Sequence, residues 1–155
     1  MIHVPRLFGF ASRLACLPVV FALALALAAP LAAQTPAEAA AREAAEAWLA
    51  HLDAEEYQAT WREAAATFQE AISEAAWAQQ AASLRQQTGG VASREFLRAQ
   101  SQTNPPGAPP GEYVAIQYDS EFNTAGRATE VVLLTAEEGR GWRVIGYSIQ
   151  PPTGA

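Results

Sequence analysis

Few side chains in this chain of 155 residues have the chemistry that catalysis or metal binding requires. All ten basic residues are arginines, so Schiff-base chemistry on a lysine amine is excluded. The one cysteine, Cys16, lies near the N-terminus, and His51 is the only histidine after residue 33. Thiolate and multi-histidine metal sites are therefore excluded beyond that segment, and we predict no catalytic residue, no cofactor and no metal site.

His51 would have to serve in any serine–histidine–acid arrangement that this chain could form. It lies on the flank of a predicted helix, about 100° from the centre of the apolar face of that helix. No Gly-x-Ser-x-Gly motif accompanies it. We interpret His51 as a surface histidine.

Two carboxylates form a pair that could do chemistry. Asp119 and Glu121 are two residues apart in a predicted strand, so they project from one face about 7 Å apart. Either of them, or Tyr147, could supply the acid–base groups of a small pocket enzyme, a hydrolase or isomerase. The alternative, which we favour because it is the commoner origin of such a pair, is the solvated face of a half-buried strand. The pair could also bind a cation, but no Asp-x-Asp-x-Asp-Gly loop supports calcium binding.

Four aromatic side chains are spaced so that they could meet between predicted helices and a predicted sheet. Such a group could line a pocket for a small ligand, or it could simply fill the core. These candidate pocket residues are Trp48, Trp61, Tyr118 and Tyr147.

The sheet that would position these groups is predicted in the second half of the chain. Apolar and polar residues alternate in Glu112–Phe122, and β-branched or aromatic residues are abundant in Ala128–Ala136 and Trp142–Ile149. Glycine-containing turns join the three segments. Val91–Gln102 is predicted as a fourth strand, and its charges suit the edge of the sheet. A proline-rich connector, Asn104–Gly111, follows it.

Helices are predicted before the sheet. Thr35 and Glu38 form a capping box for a first helix with Pro36 in its first turn. Further apolar faces predict helices over Tyr57–Gln69 and from Ser73 to about Gln87. The fold class is therefore α+β: about three N-terminal helices packed on one face of a four-stranded antiparallel meander, cystatin-like or NTF2-like in outline.

Residues 1–33 have the three parts of a secretory signal. Arg6 and Arg13 precede an apolar run from Leu14 to Ala29, and small residues follow it. We expect cleavage after Ala33, with Ala32 as the alternative and a retained membrane anchor as the competing interpretation. Residues 34–155 would then form a single domain, located in the periplasm or secreted.

The acidic charge of the chain limits its partners. Its net charge is −6, and loss of the two arginines in the predicted signal leaves −8. Such a surface disfavours nucleic acid and anionic membrane surfaces as partners. After signal cleavage we expect no stable membrane insertion, and the oligomeric state is left open.

The chain from Ala44 to Gln150 resembles a family of small exported bacterial proteins, domain of unknown function 4019. The resemblance implies export and a helices-then-sheet fold, and it implies no activity. The chain has Gln150-Pro151 where the family usually has a basic residue. The matching residues are Ala47–Leu49, Asp53, Tyr57–Trp61, Trp77, Val91–Arg94, Pro106-Gly107, Gly111–Val114, Tyr118–Phe122, Glu130 and Gly141–Ile149.

These observations predict a non-enzymatic module of the cell envelope that binds a small ligand or another envelope protein. The alternative is the small pocket enzyme described above. A third possibility is a structural role in which an uncovered sheet face forms a dimer.

Overall fold

The computed structural model describes residues 34–152. The predicted signal, with Cys16, lies outside these residues. The helices are α1 (Pro36–Asp53), α2 (Tyr57–Glu63), α3 (Ala66–Ala71) and α4 (Glu74–Thr88). The strands are β1 (Val91–Thr103), β2 (Glu112–Phe122), β3 (Gly126–Glu137) and β4 (Gly141–Gln150). The predicted α+β class, with helices before an antiparallel sheet, is confirmed.

The four strands form one meander in the order β1-β2-β3-β4, and every neighbouring pair is antiparallel. The alternation predicted for β2 is observed, because Val114, Ile116 and Tyr118 are buried while Gln117 and Asp119 are partly exposed. Alternate residues of each strand therefore face the helices. We call the side of the sheet that faces the helices the inner face, and the opposite side the outer face.

Local sequence signals define the helix ends. Thr35 Oγ1 accepts from the Glu38 amide, and the Glu38 carboxylate accepts from the Thr35 amide, which forms the predicted capping box. Ser73 caps α4 by accepting from the Ala76 amide. Gly89 ends α4 at φ +75°, and a Cβ there would lie 2.9 Å from the Thr124 amide nitrogen. This close approach docks the β2–β3 turn on the end of α4.

The predicted helix over Tyr57–Gln69 is two helices in the structure. Ala64 and Ala65 have extended backbones between α2 and α3, and the Ala65 amide donates to the Val144 carbonyl at 2.9 Å. The Ala66 amide donates to Glu137 Oε1 at 2.7 Å. The break in the helix therefore covers part of the β4 edge, a tertiary contact that helical periodicity does not reveal.

The core lies between the helices and the inner face. Ala41 and Ala45 are fully buried on α1, and their small size lets this helix approach the sheet closely. Trp48 and Trp77 each donate an indole N–H to Thr60 at 2.8 Å, to its carbonyl and its hydroxyl respectively. The two tryptophans thereby bury their rings without leaving a polar atom unpaired.

The β1 edge is more exposed than the β4 edge. β1 runs one residue further than predicted, and its pairing with β2 is interrupted between Phe96 and Arg98. Leu97 lies in this interruption and is 47% exposed. Such bulges and the charges of β1 are features that protect natural edge strands from uncontrolled pairing. Among the described helices, none combines the length and hydropathy that crossing a membrane needs.

Candidate functional site

The most polar cluster of the interior surrounds Glu130. This residue lies on the inner face of β3, as the buried Val132 and Leu134 do, and its side chain is fully buried. A charged group there is costly unless hydrogen-bond donors surround it. The sheet and its neighbours supply four such donors.

The donors come from the other three strands. Arg94 on β1 contributes Nε at 2.5 Å and Nη2 at 3.1 Å, one to each carboxylate oxygen. Ser120 on β2 donates its hydroxyl at 2.5 Å, and Tyr147 on β4 donates its hydroxyl at 2.6 Å. The carboxylate therefore links all four strands through side chains.

Arg94 extends the cluster to the helices. Its Nη1 and Nη2 donate to Asp53 at the end of α1, at 2.7 and 3.2 Å. Asp53 also accepts from Arg85 on α4 at 2.9 Å, and Arg85 donates in addition to the Leu52 carbonyl. We call the chain Glu130–Arg94–Asp53–Arg85 the ion-pair relay. It connects the sheet to two helices.

The electrostatics follow from burial and pairing. Burial alone would raise the pKa of Asp53, but the bonds from Arg94 and Arg85 outweigh it and lower that pKa below 3.8. The pKa of Tyr147 is raised far above its usual value, first by burial and then by the adjacent Glu130 charge. Tyr147 therefore stays a hydrogen-bond donor at physiological pH.

The relay has little room for a substrate. The cavity beside Tyr147 and Leu52 measures about 10 Å³, about the space that one water needs. A second cavity, beside Trp48 and Trp142, measures about 80 Å³. Pockets for small ligands usually measure about 300–1,000 Å³. The arrangement is suited to holding helices and sheet together.

The structure places the four predicted pocket residues within or against the core. Trp48 packs on Tyr147 with ring centroids 5.6 Å apart, and Trp61 donates to the Ile72 carbonyl at 2.8 Å. The buried hydroxyl of Tyr118 has no partner in the described part of the chain, and burial raises its pKa. That these four side chains bind a ligand stays a prediction.

Asp119 and Glu121 line one cavity of about 90 Å³ on the outer face, but Tyr147 is not brought to them. Asp119 lies on the outer face and pairs with Arg127, while Tyr147 lies on the inner face. Glu121 is exposed. His51 contacts Glu56 at 2.5 Å near the end of α1, and this contact, with Glu63 nearby, raises its pKa. Within residues 34–152, no three histidine or acidic side chains converge as metal ligands would.

A larger cavity lies on the outer face, at the end bordered by the proline-rich connector. It measures about 470 Å³, and its lining contains no charged side chain. We call it the outer groove. It is lined by Gln100, Ser101 and Gln102 of β1, Pro105 and Ala108 of the connector, Tyr113 and Ala115 of β2, Leu133 of β3 and Ile145 of β4.

The strand register explains this depression. Gln100, Ala115, Leu133 and Gly146 are successive cross-strand partners, so two small residues flank the single leucine. The connector forms the adjoining wall, held by the Tyr113 hydroxyl, which donates to the Pro109 carbonyl at 2.8 Å. The alternation in β2 predicted that this face is partly open, but not that the connector closes one side of it.

Residues 44–147 match the family described as Protein of unknown function (DUF4019). The chain therefore belongs to that family, as its resemblance predicts. Among curated proteins, none matches the sequence. The family description assigns no activity.

The relay predicts how stability depends on pH. Because the pKa of Asp53 is lowered in the folded state, its contribution is complete above about pH 4 and is lost as pH falls through the folded-state pKa. We expect Asp53→Asn to lower the free energy of unfolding by about 1–2 kcal/mol at pH 7, since the carboxylate is one-third exposed. The deficit should shrink toward pH 3 in urea titrations.

Asp119→Asn is the matched control, because that carboxylate pairs with a largely exposed arginine. Its effect at pH 7 should be clearly smaller than that of Asp53→Asn. An Asp53→Asn deficit that stays constant from pH 7 to pH 3 would contradict the assigned role of the carboxylate.

Proposed function

We propose that this chain is an exported, non-enzymatic binding module of the cell envelope, and that its ligand occupies the outer groove. The observation that carries the proposal is the position of a large cavity. It lies on the sheet face that none of the helices between residues 34 and 152 covers, and its volume of about 470 Å³ falls within the range of ligand pockets.

The lining supports binding rather than catalysis. It provides apolar surface from Leu133, Ile145 and Pro105 together with the amides of Gln100 and Gln102. Apolar walls with a few polar groups are typical of binding sites. No carboxylate or histidine lines the groove, and the hydroxyl of its one tyrosine, Tyr113, is occupied by a hydrogen bond to the Pro109 carbonyl.

The distribution of acid–base groups elsewhere also supports a non-enzymatic role. Glu130 is sealed by four donors, and Asp119 is paired. A catalytic acid or base must reach its substrate within hydrogen-bond distance. The sealed cluster is better suited to stabilising the fold that presents the groove.

Export rests on the N-terminal pattern of basic, apolar and small residues. We expect the protein recovered from its own cell to begin at Gln34, or at Ala33 for the alternative cut, and to fractionate outside the cytoplasm. Intact-mass measurement distinguishes these forms. A mature protein that retains Met1 would contradict cleavage.

The binding site can be mapped without knowing the ligand. A library of small soluble fragments is titrated into ¹⁵N-labelled residues 34–155, and amide shifts are recorded. We expect the shifts to cluster at Gln100, Ala115 and Leu133. Ala115→Phe should abolish them, since the new ring fills the floor of the groove.

Val131→Phe is the matched control, because Val131 belongs to the next cross-strand row and does not line the groove. It should leave the fragment shifts unchanged. Fragments that perturb only the Trp48 and Tyr147 region, or that bind equally to Ala115→Phe, would overturn the assignment of the groove.

A further inference from the structure

The free edge of β1 is protected along only part of its length. Strand β1 is outermost in the sheet, and no strand between residues 34 and 152 pairs with its other side. Its charged residues, Arg94, Glu95 and Arg98, and both interruptions of its pairing with β2 lie at or before Arg98. From Ala99 to Thr103 the edge has no charge, no proline and no bulge. Natural edge strands usually carry such features, so an unprotected stretch indicates a site of strand pairing.

The strand register shows which backbone groups face this edge. The Asn104 amide donates to the Gly111 carbonyl at 2.8 Å, so this pair and every second pair before it exchange hydrogen bonds between β1 and β2. The residues in between, Ala99, Ser101 and Thr103, therefore direct their N–H and C=O groups away from β2. Ser101 and Thr103 are exposed. A row of such groups is complementary to another extended backbone.

The same segment forms one wall of the outer groove. Gln100 and Gln102 project onto the outer face, and Ser101 lines the groove between them. The Ser101 side chain lies on the inner face, since its hydroxyl donates to Glu38 of α1 at 2.8 Å. Ser101 therefore lines the groove with its backbone, and the groove reaches the strand whose edge is free.

Glu38 places a negative charge at this edge. Hydrogen bonds from Thr35 and then from Ser101, including the edge-directed Ser101 N–H, hold the pKa of Glu38 below its usual value. The backbone groups left for an added strand are those of Ala99 and Thr103 and the carbonyl of Ser101. A strand that also takes the Ser101 N–H displaces the Glu38 carboxylate from it, and a cation on that strand would compensate for the lost bond.

We infer that the ligand of the outer groove is an extended segment of a partner protein that adds to β1 as an antiparallel fifth strand, with a basic residue between two apolar ones. This inference rests on the proposed function and adds the class of ligand. The residue opposite Ser101 would project toward the helices and meet Glu38, whereas its two neighbours would project onto the outer face beside Gln100 and Gln102. The uncharged lining of the groove suits apolar side chains.

Charge favours a partner segment over a second copy of this chain. Two antiparallel β1 edges paired about Ser101 would place the two Ser101 Cα atoms about 5.5 Å apart, with a Glu38 carboxylate beside each. Each chain also has a net charge of −6. Like charges oppose this self-pairing, whereas a basic segment is attracted.

Probe peptides test the inference by NMR titration of ¹⁵N-labelled residues 34–155. The first probe is acetyl-Thr-Thr-Leu-Arg-Leu-Thr-Thr-amide, and the second has glutamate in place of the arginine. We expect the first probe to shift the amides of Ala99, Ser101 and Leu133. It should bind about fivefold more tightly than the second probe, as expected for one solvent-accessible ion pair.

Backbone pairing is tested by N-methylation of the first probe. Its second and sixth residues would lie opposite Thr103 and Ala99, so N-methylation there removes N–H groups that bond to β1 and should abolish binding. The N–H groups of its two leucines would point away from β1. N-methylation at the leucines is therefore the matched control and should leave the affinity nearly unchanged.

Two variants locate the charge. Glu38→Gln should remove the preference for the arginine probe, and glutamine can still complete the capping box at this position. Glu43→Gln is the matched control, because it removes an exposed carboxylate from the same helix, and it should keep the preference. Thermal unfolding of each variant without probe confirms that it is folded.

The possible failures are distinguishable. If soluble fragments shift Ala115 and Leu133 but no probe shifts Ala99 or Ser101, the peptide class is overturned and the proposed binding function stands. If neither fragments nor probes shift the groove, both are overturned. Equal binding of the arginine and glutamate probes, or of the two N-methylated probes, would contradict the stated chemistry. A dimer in sedimentation that the first probe dissociates would place a second copy at this edge and overturn the inference.

Discussion

The contact between Glu130 and Arg94 is the interaction on which the rest of the structure depends. A carboxylate with no solvent exposure lies in the middle strand pair of the sheet, and it is tolerable there only because Arg94, Ser120 and Tyr147 donate to it. Arg94 then reaches Asp53, so the same cation that neutralises the sheet also holds the end of α1. Hydrophobic burial provides most of the stability, whereas this polar chain links the end of α1 to the sheet.

This arrangement separates the two faces of the sheet into different roles. The inner face is filled by apolar side chains, tryptophans paired to Thr60, and the relay, and its cavities near Tyr147 and Trp48 measure only about 10 and 80 Å³. None of the four described helices covers the outer face, which contains the groove of about 470 Å³. A rigid inner layer lets the outer face stay open, because the sheet does not need a second layer to remain folded.

Much of this fold was predictable from periodicity and turn residues, as the alternation in β2 and the capping box at Thr35 illustrate. The break at Ala64 and Ala65 was not predictable, since alanine favours helix and the extended backbone there goes with a hydrogen bond to the distant Val144 carbonyl.

The ion-pair relay was not predicted from the sequence, although Glu130 alternates with Val132 and Leu134 along β3 and so had to face the core. The side chains that bond to each other there are 10 to 41 residues apart along the chain, and sequence spacing does not show which of them meet. The groove depends on where the connector lies, which proline content alone does not determine.

The unfolding free energy of Glu130→Gln, measured by urea denaturation at pH 7 beside Glu121→Gln, tests the central claim most directly. The substitution removes the buried counter-charge of Arg94 and leaves only Asp53 to pair with it, so the account predicts a loss of about 3–5 kcal/mol, against less than about 0.5 kcal/mol for the exposed Glu121 on the neighbouring strand. A loss for Glu130→Gln that is no larger than that of the control would contradict the account, because the helices and the sheet would then be held together without this ion pair.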